Sequence, residues 1–445
     1  MLSFQSMDSQ IKRDRLISAI KKTINHESPA RWIKRAVSFE PANRSALICG
    51  REFGLDAGKL FISGFGKCAG TMAEGISEIF GGDIEKGLLI SYKDKKIGRD
   101  IRIMAASHPL PGAATVSASR KLAALHLSME ENDTVLCLIS GGGSSFFEIP
   151  AGAIELSELI KTNSLLLSSG APISDINVVR KALSEVKGGK LLGMTKARVV
   201  TLAISDVIGG GPGDIASGPT WPQIVKPSSA LEILKKYNIL HLCPGSVIGH
   251  LKAEAEDRPE NRSGTGAGAA PGYFVIGDNS KMLEAVSLAF SELGYDVEGS
   301  GRQLTGPAEK EAAWFMEKLL KLAGTVTRKT CLIAGGEITV KVSGKKAGGR
   351  CQHFALLCAG MLSEFENKGG PEISVAAFAS DGVDGFTDAA GAFIENGTAL
   401  KIGPEIISGY ASNFASHDFF EKYGGLISTG PTGHNVNDFF IGFIN

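Results

Sequence analysis

Short apolar runs that end in small residues recur through the first half of the chain, and they constrain its fold more than any other feature. Helix-like segments such as TVSASRKLAALHLSM (115–129) separate the runs, which are LFIS (60–63), GLLIS (87–91), IRIMAAS (101–107), VLCLIS (135–140) and VVTLAIS (199–205). Runs that are apolar at nearly every position are typical of strands buried on both faces. Their alternation with helices predicts a parallel sheet covered by helices.

The second half of the chain carries a different pattern. Its strand-like runs are YFVIGD (273–278), CLIAGG (331–336), ITVKV (338–342) and SVAAFASDG (374–382), and ITVKV alternates between apolar and polar residues. Alternation indicates one solvated face, which favours a mixed sheet. A chain of 445 residues is long for one core. We therefore expect an α/β protein: a Rossmann-like domain at 1–255, a linker or loop at 256–272, and an α/β domain with a mixed sheet at 273–445.

Composition argues against several classes of function. Lys+Arg and Asp+Glu are both 47, so no charge excess favours nucleic acid or an acidic membrane surface. The seven cysteines form no CxxC pair, which argues against zinc and disulfides and fits a reducing compartment. No apolar signal segment or membrane-length run occurs, so we expect a cytoplasmic protein. The absence of acids before Asp8 leaves a mitochondrial location open.

Two glycine-rich loops follow buried strands and are candidate phosphate-binding sites. In SGGGSS, several backbone N–H groups can bend toward one anion while the serines add hydroxyl donors. Its candidate nucleotide-binding residues are Ser140, Gly141, Gly142, Gly143 and Ser144. The loop is not a Walker A motif, because no GK[ST] closes it. A tight strand-to-helix turn is the alternative interpretation.

The other loop is GFGKCAG (64–70), in which Lys67 stands among glycines. A lysine here places a point charge where a phosphoryl oxygen would lie, so Lys67 is a candidate catalytic residue. The same loop also fits GxGxxA, the dinucleotide fingerprint. An NAD(P)-dependent oxidoreductase therefore remains an alternative to a kinase.

Acidic residues at the tips of two strands are candidate metal ligands. Asp206 follows VVTLAIS, and Asp381 follows a buried run in the second half. Such carboxylates can hold Mg²⁺ during phosphoryl transfer. Each of these acids could instead cap a helix or form an Asx-turn. For Asp384, a third acid in the same region, the structural and functional roles are equally supported.

Several other polar residues are candidates for binding a ligand. Arg350 follows two glycines, and its guanidinium suits a carboxylate or a transferring phosphoryl group, unless it bridges to Glu337 or another acid. Lys187 is the first lysine of KGGK, which is either a phosphate clasp or an exposed helix end. Asn435 lies in a polar loop that also holds Asp438.

His108, in HPLP, is the one histidine singled out as a candidate site residue. No GxSxG motif occurs, so the sequence gives no support for a hydrolase triad.

Taken together, these blocks resemble the class II glycerate kinases, which carry a C-terminal MOFRL-type domain. The ordered set is GFGKCAG (64–70), SHPLPG (107–112), SGGGSS (140–145), NVVRKALSEVKGGKLL (177–192), SDVIGGGPGDIASGPT (205–220), GGEITVKV (335–342), GGRCQHFAL (348–356), SDGVDG (380–385) and TGPTGHNVNDFF (429–440). The resemblance implies ATP- and Mg²⁺-dependent phosphorylation of D-glycerate to 2-phosphoglycerate, in a cleft between two α/β domains. It also implies that Lys67 and Arg350 stabilise the transition state. Glu337 and Lys187 remain candidate nucleotide-binding residues. A monomer or homodimer is expected.

Several positions depart from the family's motifs. Cys351 and His353 replace Asn and Glu of GGRNQE, and Gly210 replaces the Asp of SDVxGD. His434 replaces the third Thr of TGPTGTN, and Gly112 ends the HPxPD pattern. The lost acids leave open weaker Mg²⁺ binding, another hydroxy-acid acceptor, or a catalytically degenerate metabolite-binding homologue. The family has also been labelled hydroxypyruvate reductase, which keeps the oxidoreductase alternative in view.

Overall fold

The structure is a computed structural model that describes residues 7–55, 58–257, 272–341, 347–365 and 370–445. Residues 258–271, nearly all of the predicted linker at 256–272, lie outside the described part. The α-helices of the described part are α1 (Met7–His26), α2 (Pro29–Ala36), α3 (Ala69–Phe80), α4 (Ala113–Leu127), α5 (Gly143–Phe146), α6 (Leu156–Ser168), α7 (Ile173–Ala182), α8 (Pro227–Lys236), α9 (Gly245–Asp257), α10 (Asn279–Glu292), α11 (Ala308–Ala323), α12 (Arg350–Glu364), α13 (Asn396–Ile402), α14 (Pro404–Ser412) and α15 (Ser416–Tyr423). Its strands are β1 (Val37–Glu40), β2 (Ser45–Ile48), β3 (Arg51–Gly54), β4 (Leu60–Phe65), β5 (Ile84–Ser91), β6 (Lys95–Ile97), β7 (Ile101–Ala105), β8 (Thr134–Ile139), β9 (Arg198–Ile204), β10 (Tyr273–Gly277), β11 (Asp296–Gly299), β12 (Thr330–Gly336), β13 (Ile373–Ala379), β14 (Gly391–Glu395), β15 (Leu426–Ile427) and β16 (Asp438–Ile444).

The chain divides into two compact units. Pro29–Gly277 forms one, which we call the parallel-sheet unit. Asp278–Asn445 and the described residues up to Ser28 form the other, the mixed-sheet unit. None of the helices among the described residues combines the length and the apolar character needed to span a bilayer.

The parallel-sheet unit is built on seven strands in the order β10-β9-β8-β4-β5-β7-β6. Every neighbouring pair is parallel except β6 with β7. All positions of β4 and β8 are buried, which means that both faces of the sheet centre are covered. The continuous apolar runs therefore became the central parallel strands, as predicted. A separate antiparallel sheet, β1-β2-β3, completes this unit.

The mixed-sheet unit has six strands in the order β11-β12-β16-β13-β14-β15. The β11–β12 pair is parallel and the other pairs are antiparallel, so the predicted mixed sheet is confirmed. Helices α11 and α12 supply apolar side chains to its core, among them Phe315 and Phe354, whose ring centroids lie 5.6 Å apart.

The predicted strand ITVKV is absent from this sheet over its described residues, 338–341. Thr339 forms only an isolated bridge with Pro307, while Val342 lies outside the described part. The Thr339 N–H donates to the carbonyl of Gly306, and the Ala308 N–H donates to the carbonyl of Thr339. Helix α11 begins at Ala308, so the pairing ends there. The alternation of apolar residues was therefore not sufficient to make a sheet strand here.

The observed division differs from the predicted domain boundaries at two places. Helix α1 packs on α10 in the mixed-sheet unit, because Leu16, Ile20 and Ile24 form a buried stripe at helical spacing. Strand β10 pairs in parallel with β9, so YFVIGD completes the first sheet instead of opening the second domain. Both differences arise from contacts between residues distant in sequence.

The buried His126 on α4 predicts a pH-dependent stability. Neither ring nitrogen has a hydrogen-bond partner in the described structure, and burial lowers the pKa of His126 to about 4. The pKa of His126 is therefore lower in the folded protein than in the unfolded chain, where it is about 6.5. The stability that this difference contributes is present above pH 6.5 and is lost as the pH falls toward 4. We expect His126→Leu to reduce the loss of unfolding free energy between pH 7 and 4.5 by about 2 kcal/mol.

Urea denaturation of wild type and variant at both pH values measures this effect. Exposed His241 supplies the matched control, because His241→Leu removes an imidazole that is already solvated. An equal pH dependence in wild type and His126→Leu would contradict the assignment.

Candidate functional site

Three predicted site loops meet at one edge of the parallel sheet. Lys67 follows β4, SGGGSS follows β8, and Asp206 follows β9. These strands are parallel neighbours, so their carboxyl ends lie side by side. This edge is where open α/β sheets bind their ligands. The structure thus brings together residues that are far apart in the sequence.

The two glycine-rich loops hold each other in place. The Lys67 backbone N–H donates to the carbonyl oxygen of Gly141 at 2.9 Å, and the Cys68 N–H donates to Ser140 Oγ at 2.9 Å. Ser140 is fully buried, and its own N–H donates to the carbonyl of Phe65. Ser140 therefore supports the loop from below, and the following glycines form its outer part.

The glycines of SGGGSS allow charged side chains to approach the backbone. A Cβ on Gly141 would lie 2.2 Å from Asp206 Oδ2, and one on Gly143 would lie 2.5 Å from Ala216 Cβ. Gly142 has φ +75°, and a Cβ there would lie 2.9 Å from His108 Nε2 and 3.3 Å from Lys67 Cε. Any larger residue would displace these groups. Lys67, His108 and Asp206 therefore lie close around the backbone of this loop.

The last predicted nucleotide-binding residue of the loop, Ser144, is half-buried beside the segment that follows Asp206. Its Oγ lies 2.8 Å from Ser217 Oγ, so the hydroxyl links SGGGSS to the chain that follows β9. This contact ties a second part of SDVIGGGPGDIASGPT to the loop.

His108 is a site residue for which the sequence suggested no role. Its ring stacks on Phe146, with centroids 5.2 Å apart, and contacts Tyr92 edge to face. Burial and the nearby Lys67 charge lower the pKa of His108, which favours the neutral imidazole. The only sequence signal was its place in HPLP. That signal could not show that the ring reaches the loop after β8.

Lys187 does not take the position of a phosphate clasp, which corrects the expectation from KGGK. It is 1% exposed, and its Nζ donates to Glu148 and, at 3.1 Å, to the carbonyl of Phe147. Burial lowers the pKa of Lys187, and the Glu148 carboxylate opposes this. Lys190 likewise donates to the carbonyls of Lys181 and Ser184. Through these contacts, Lys187 supports the segment that follows SGGGSS in the chain.

Asp214 lies beside Gly210, the position at which the family's motif has an aspartate. Asp214 Oδ2 accepts a hydrogen bond from the Gly211 N–H at 3.1 Å. The same oxygen would lie 3.3 Å from a Cβ placed on Gly210. A carboxylate thus remains beside this position, although it comes from four residues later in the chain.

In the mixed-sheet unit, Arg350 begins α12 and binds two acids, Glu337 directly after β12 and Asp438 at the start of β16. Its Nε and Nη2 donate to the two carboxylate oxygens of Asp438, and its Nη1 donates to Glu337 Oε1 at 2.8 Å. Burial raises the pKa of Asp438, whereas the guanidinium lowers it, and the two-pronged contact accommodates the ionised carboxylate. The alternative of a structural bridge from Arg350 to Glu337 is therefore present in the structure, together with a second acid.

The acids of SDGVDG have different partners. Fully buried Asp384 accepts from the N–H groups of Cys351 and Gln352, at 3.0 and 2.8 Å, and so caps α12. Burial raises the pKa of Asp384 to about 6, against the effect of these donors. Asp381 accepts from the Val383 N–H at 3.0 Å and from Asn435 Nδ2 at 3.4 Å. Asn435 thus orients Asp381.

The predicted Mg²⁺ residues fit unequally. No group of three or more His, Cys, Asp or Glu side chains within the described residues is arranged to hold a metal ion. Magnesium is commonly held by one or two carboxylates together with substrate phosphates. Asp206 fits this mode because its carboxylate lies against Gly141 of SGGGSS. Asp381 belongs to the other unit and hydrogen-bonds to its own loop.

Comparison with known proteins shows the family to which the chain belongs. The profile of a domain of unknown function (DUF4147) matches residues 15–252, and that of the MOFRL family matches residues 330–438. A D-glycerate 2-kinase of Thermotoga maritima is 35% identical over 437 residues, covering 96% of this chain and 97% of the relative. The chain belongs to the class II glycerate kinases.

Further comparisons extend across the same family. A glycerate 2-kinase of Pyrococcus horikoshii is 34% identical over 96% of each chain. The crystal structure of a glycerate kinase from Thermotoga maritima superimposes with a TM-score of 0.82 at 33% identity, covering 98% of this chain and 100% of the other. The resemblance drawn from the ordered motifs and the two-domain α/β fold are both confirmed.

Proposed function

We propose that this chain transfers the γ-phosphoryl group of ATP to the 2-hydroxyl of D-glycerate, forming 2-phosphoglycerate. The observation that carries the proposal is the convergence of Lys67, the glycine loop and Asp206 at one edge of the parallel sheet. This edge combines backbone N–H groups, a fixed cation and a carboxylate. Phosphoryl transfer depends mainly on positioning and on such electrostatic groups.

SGGGSS and Lys67 are proposed to bind and stabilise the phosphates. The Lys67 backbone N–H is bonded to Gly141, and the Lys67 side chain passes beside Gly142. A preorganised cation needs little rearrangement as charge develops on the phosphoryl oxygens. Asp206 would hold Mg²⁺, which when bound neutralises charge on the phosphates.

Arg350 is proposed as the second catalytic cation, with Glu337 and Asp438 holding its guanidinium in one orientation. A guanidinium has five N–H donors, and three of its nitrogen atoms contact these acids through one hydrogen bond each. Donors therefore remain for a phosphoryl group or for the carboxylate of glycerate. The hydrogen bond between Asn437 Nδ2 and Glu337 Oε2, at 3.2 Å, fixes the supporting acid in turn.

The oxidoreductase alternative has less support from the geometry of GFGKCAG. A dinucleotide-binding loop presents backbone N–H groups to the pyrophosphate. Here the N–H groups of Lys67 and Cys68 donate to Gly141 and Ser140 within the protein. These donors are therefore engaged by a neighbouring loop, which favours a kinase.

The decisive experiment is turnover of ATP by purified protein with D-glycerate and Mg²⁺, with the product identified by phosphorus NMR. Formation of 2-phosphoglycerate is the expected result. Folded protein that binds ATP without forming product would support the catalytically degenerate homologue, and NAD(P)H oxidation with hydroxypyruvate would support the reductase. The proposal includes a cytoplasmic monomer or homodimer, which cell fractionation and analytical ultracentrifugation test.

A further inference from the structure

A cavity of about 530 Å³ lies within the mixed-sheet unit. Apolar side chains form much of its lining: Ile338, Val340, Val383, Phe386 and Phe414. Arg350, Asp381 and His353 add a few polar groups. This combination of a largely apolar wall with a few convergent polar groups is typical of small-molecule sites. Glycerate has three carbons, a carboxylate and two hydroxyls, so it would neither fill this cavity nor use its apolar walls.

The cavity presents aromatic rings to its contents. Phe386 is fully exposed, at 104% of its reference area, although it lines the cavity. Phe414 lies on the same cavity and stacks on the ring of His353, with centroids 5.1 Å apart. An exposed phenylalanine gains apolar burial when a flat ring covers it. The lining therefore suits a planar aromatic ligand.

His353 is a buried polar group that a ligand would satisfy. It is 4% exposed, and its Nδ1 has no hydrogen-bond partner in the described structure. Burying such a nitrogen without a partner is unfavourable, and a hydrogen bond from a ligand would offset that cost. Burial lowers the pKa of His353, which favours the neutral ring that can donate or accept a hydrogen bond. This histidine stands where the family's GGRNQE motif has glutamate, so the group is a feature of this chain.

We propose that this cavity binds the adenine base of the nucleotide, with Phe386 stacking on the base and His353 and Asp381 hydrogen-bonding to its edge. A purine offers both a planar aromatic face and ring nitrogens. The exocyclic amino group of adenine can donate a hydrogen bond to the Asp381 carboxylate. The inference rests on the proposed function, because it assigns the base of ATP to a site.

Direct binding to the full-length chain tests the assignment. Calorimetric titration without glycerate would compare ATP with inorganic tripolyphosphate, which has the phosphates but lacks the base. We expect Phe386→Ala to weaken ATP binding about 10-fold and to leave tripolyphosphate binding unchanged. Leu288→Ala is the matched control, since Leu288 is an exposed apolar residue of the same unit outside the cavity lining. That variant should bind both ligands like wild type.

A second variant examines the polar edge. His353→Phe keeps an aromatic ring against Phe414 but removes both nitrogens, and we expect ATP binding to weaken at least 3-fold. Unchanged ATP affinity in both Phe386→Ala and His353→Phe would overturn the proposal, as would wild-type protein that binds tripolyphosphate as tightly as ATP. Failure of the proposed kinase function has a different signature: Phe386→Ala weakens ATP binding, yet wild type forms no 2-phosphoglycerate.

Discussion

Replacing Lys67 by methionine is expected to lower kcat for glycerate phosphorylation about 1,000-fold, equivalent to about 4 kcal/mol of transition-state stabilisation. Methionine keeps most of the side-chain volume and removes only the charge. The loop should survive, because its anchors are the backbone N–H groups of Lys67 and Cys68. Since the lost interaction strengthens in the transition state, kcat and kcat/KM should fall together. Steady-state assays that vary ATP and glycerate separately measure both constants.

The matched control for this prediction is Lys121→Met. Lys121 is exposed on α4, so the variant carries the same change in net charge and should retain wild-type turnover. Lys67→Arg should recover part of the activity, because a cation remains but its geometry changes. Turnover of Lys67→Met near that of wild type would remove Lys67 from the catalytic machinery.

Replacing Lys187 by methionine is expected to lower the unfolding free energy of the parallel-sheet unit by about 3–5 kcal/mol. The change would leave Glu148, which is 3% exposed, as a buried carboxylate without its ammonium partner. Glu148 follows Phe147, whose ring stacks on Phe65 at a centroid distance of 4.4 Å. The pair therefore supports the segment directly after SGGGSS. Urea denaturation monitored by circular dichroism measures the loss.

A double-mutant cycle separates pairing from packing. Lys187→Met with Glu148→Leu removes both charges, and the double variant should recover much of the stability lost in Lys187→Met. If Lys187 instead bound phosphate directly, Lys187→Met would raise the KM for ATP while leaving the urea midpoint unchanged. That outcome would restore the clasp interpretation drawn from KGGK.

The chain's local patterns predicted the strands and the loops at their ends. LFIS and VLCLIS became β4 and β8 because uninterrupted apolar residues are stable as strands only when both faces are buried. Parallel neighbours then place the loops that follow them at one edge. The grouping of Lys67 with SGGGSS and Asp206 could therefore be anticipated from sequence order and strand pattern alone.

The partners of charged side chains could not be anticipated in the same way. Lys187 and Lys67 both stand beside glycines. Lys187 is buried against Glu148, 39 residues away, whereas the Lys67 side chain passes beside Gly142 in the loop after β8. Arg350 binds Asp438 across 88 residues, and the Asp384 carboxylate caps a helix that begins 34 positions earlier in the chain, at Arg350. The periodicity of apolar residues indicates which positions are buried. It does not indicate which acidic side chain pairs with which basic side chain when the two are distant in sequence.

The sequence by itself determined the family, the α/β class, and the candidate loops, because these depend on local composition and on the order of motifs along the chain. Only the tertiary structure decided that α1 packs with the mixed-sheet unit, that Lys187 is a buried structural cation, and that His353 lines a cavity with Phe386. Each of these depends on contacts between segments that are distant in sequence. The free energy of such contacts comes from burial and pairing in three dimensions, which no local pattern records.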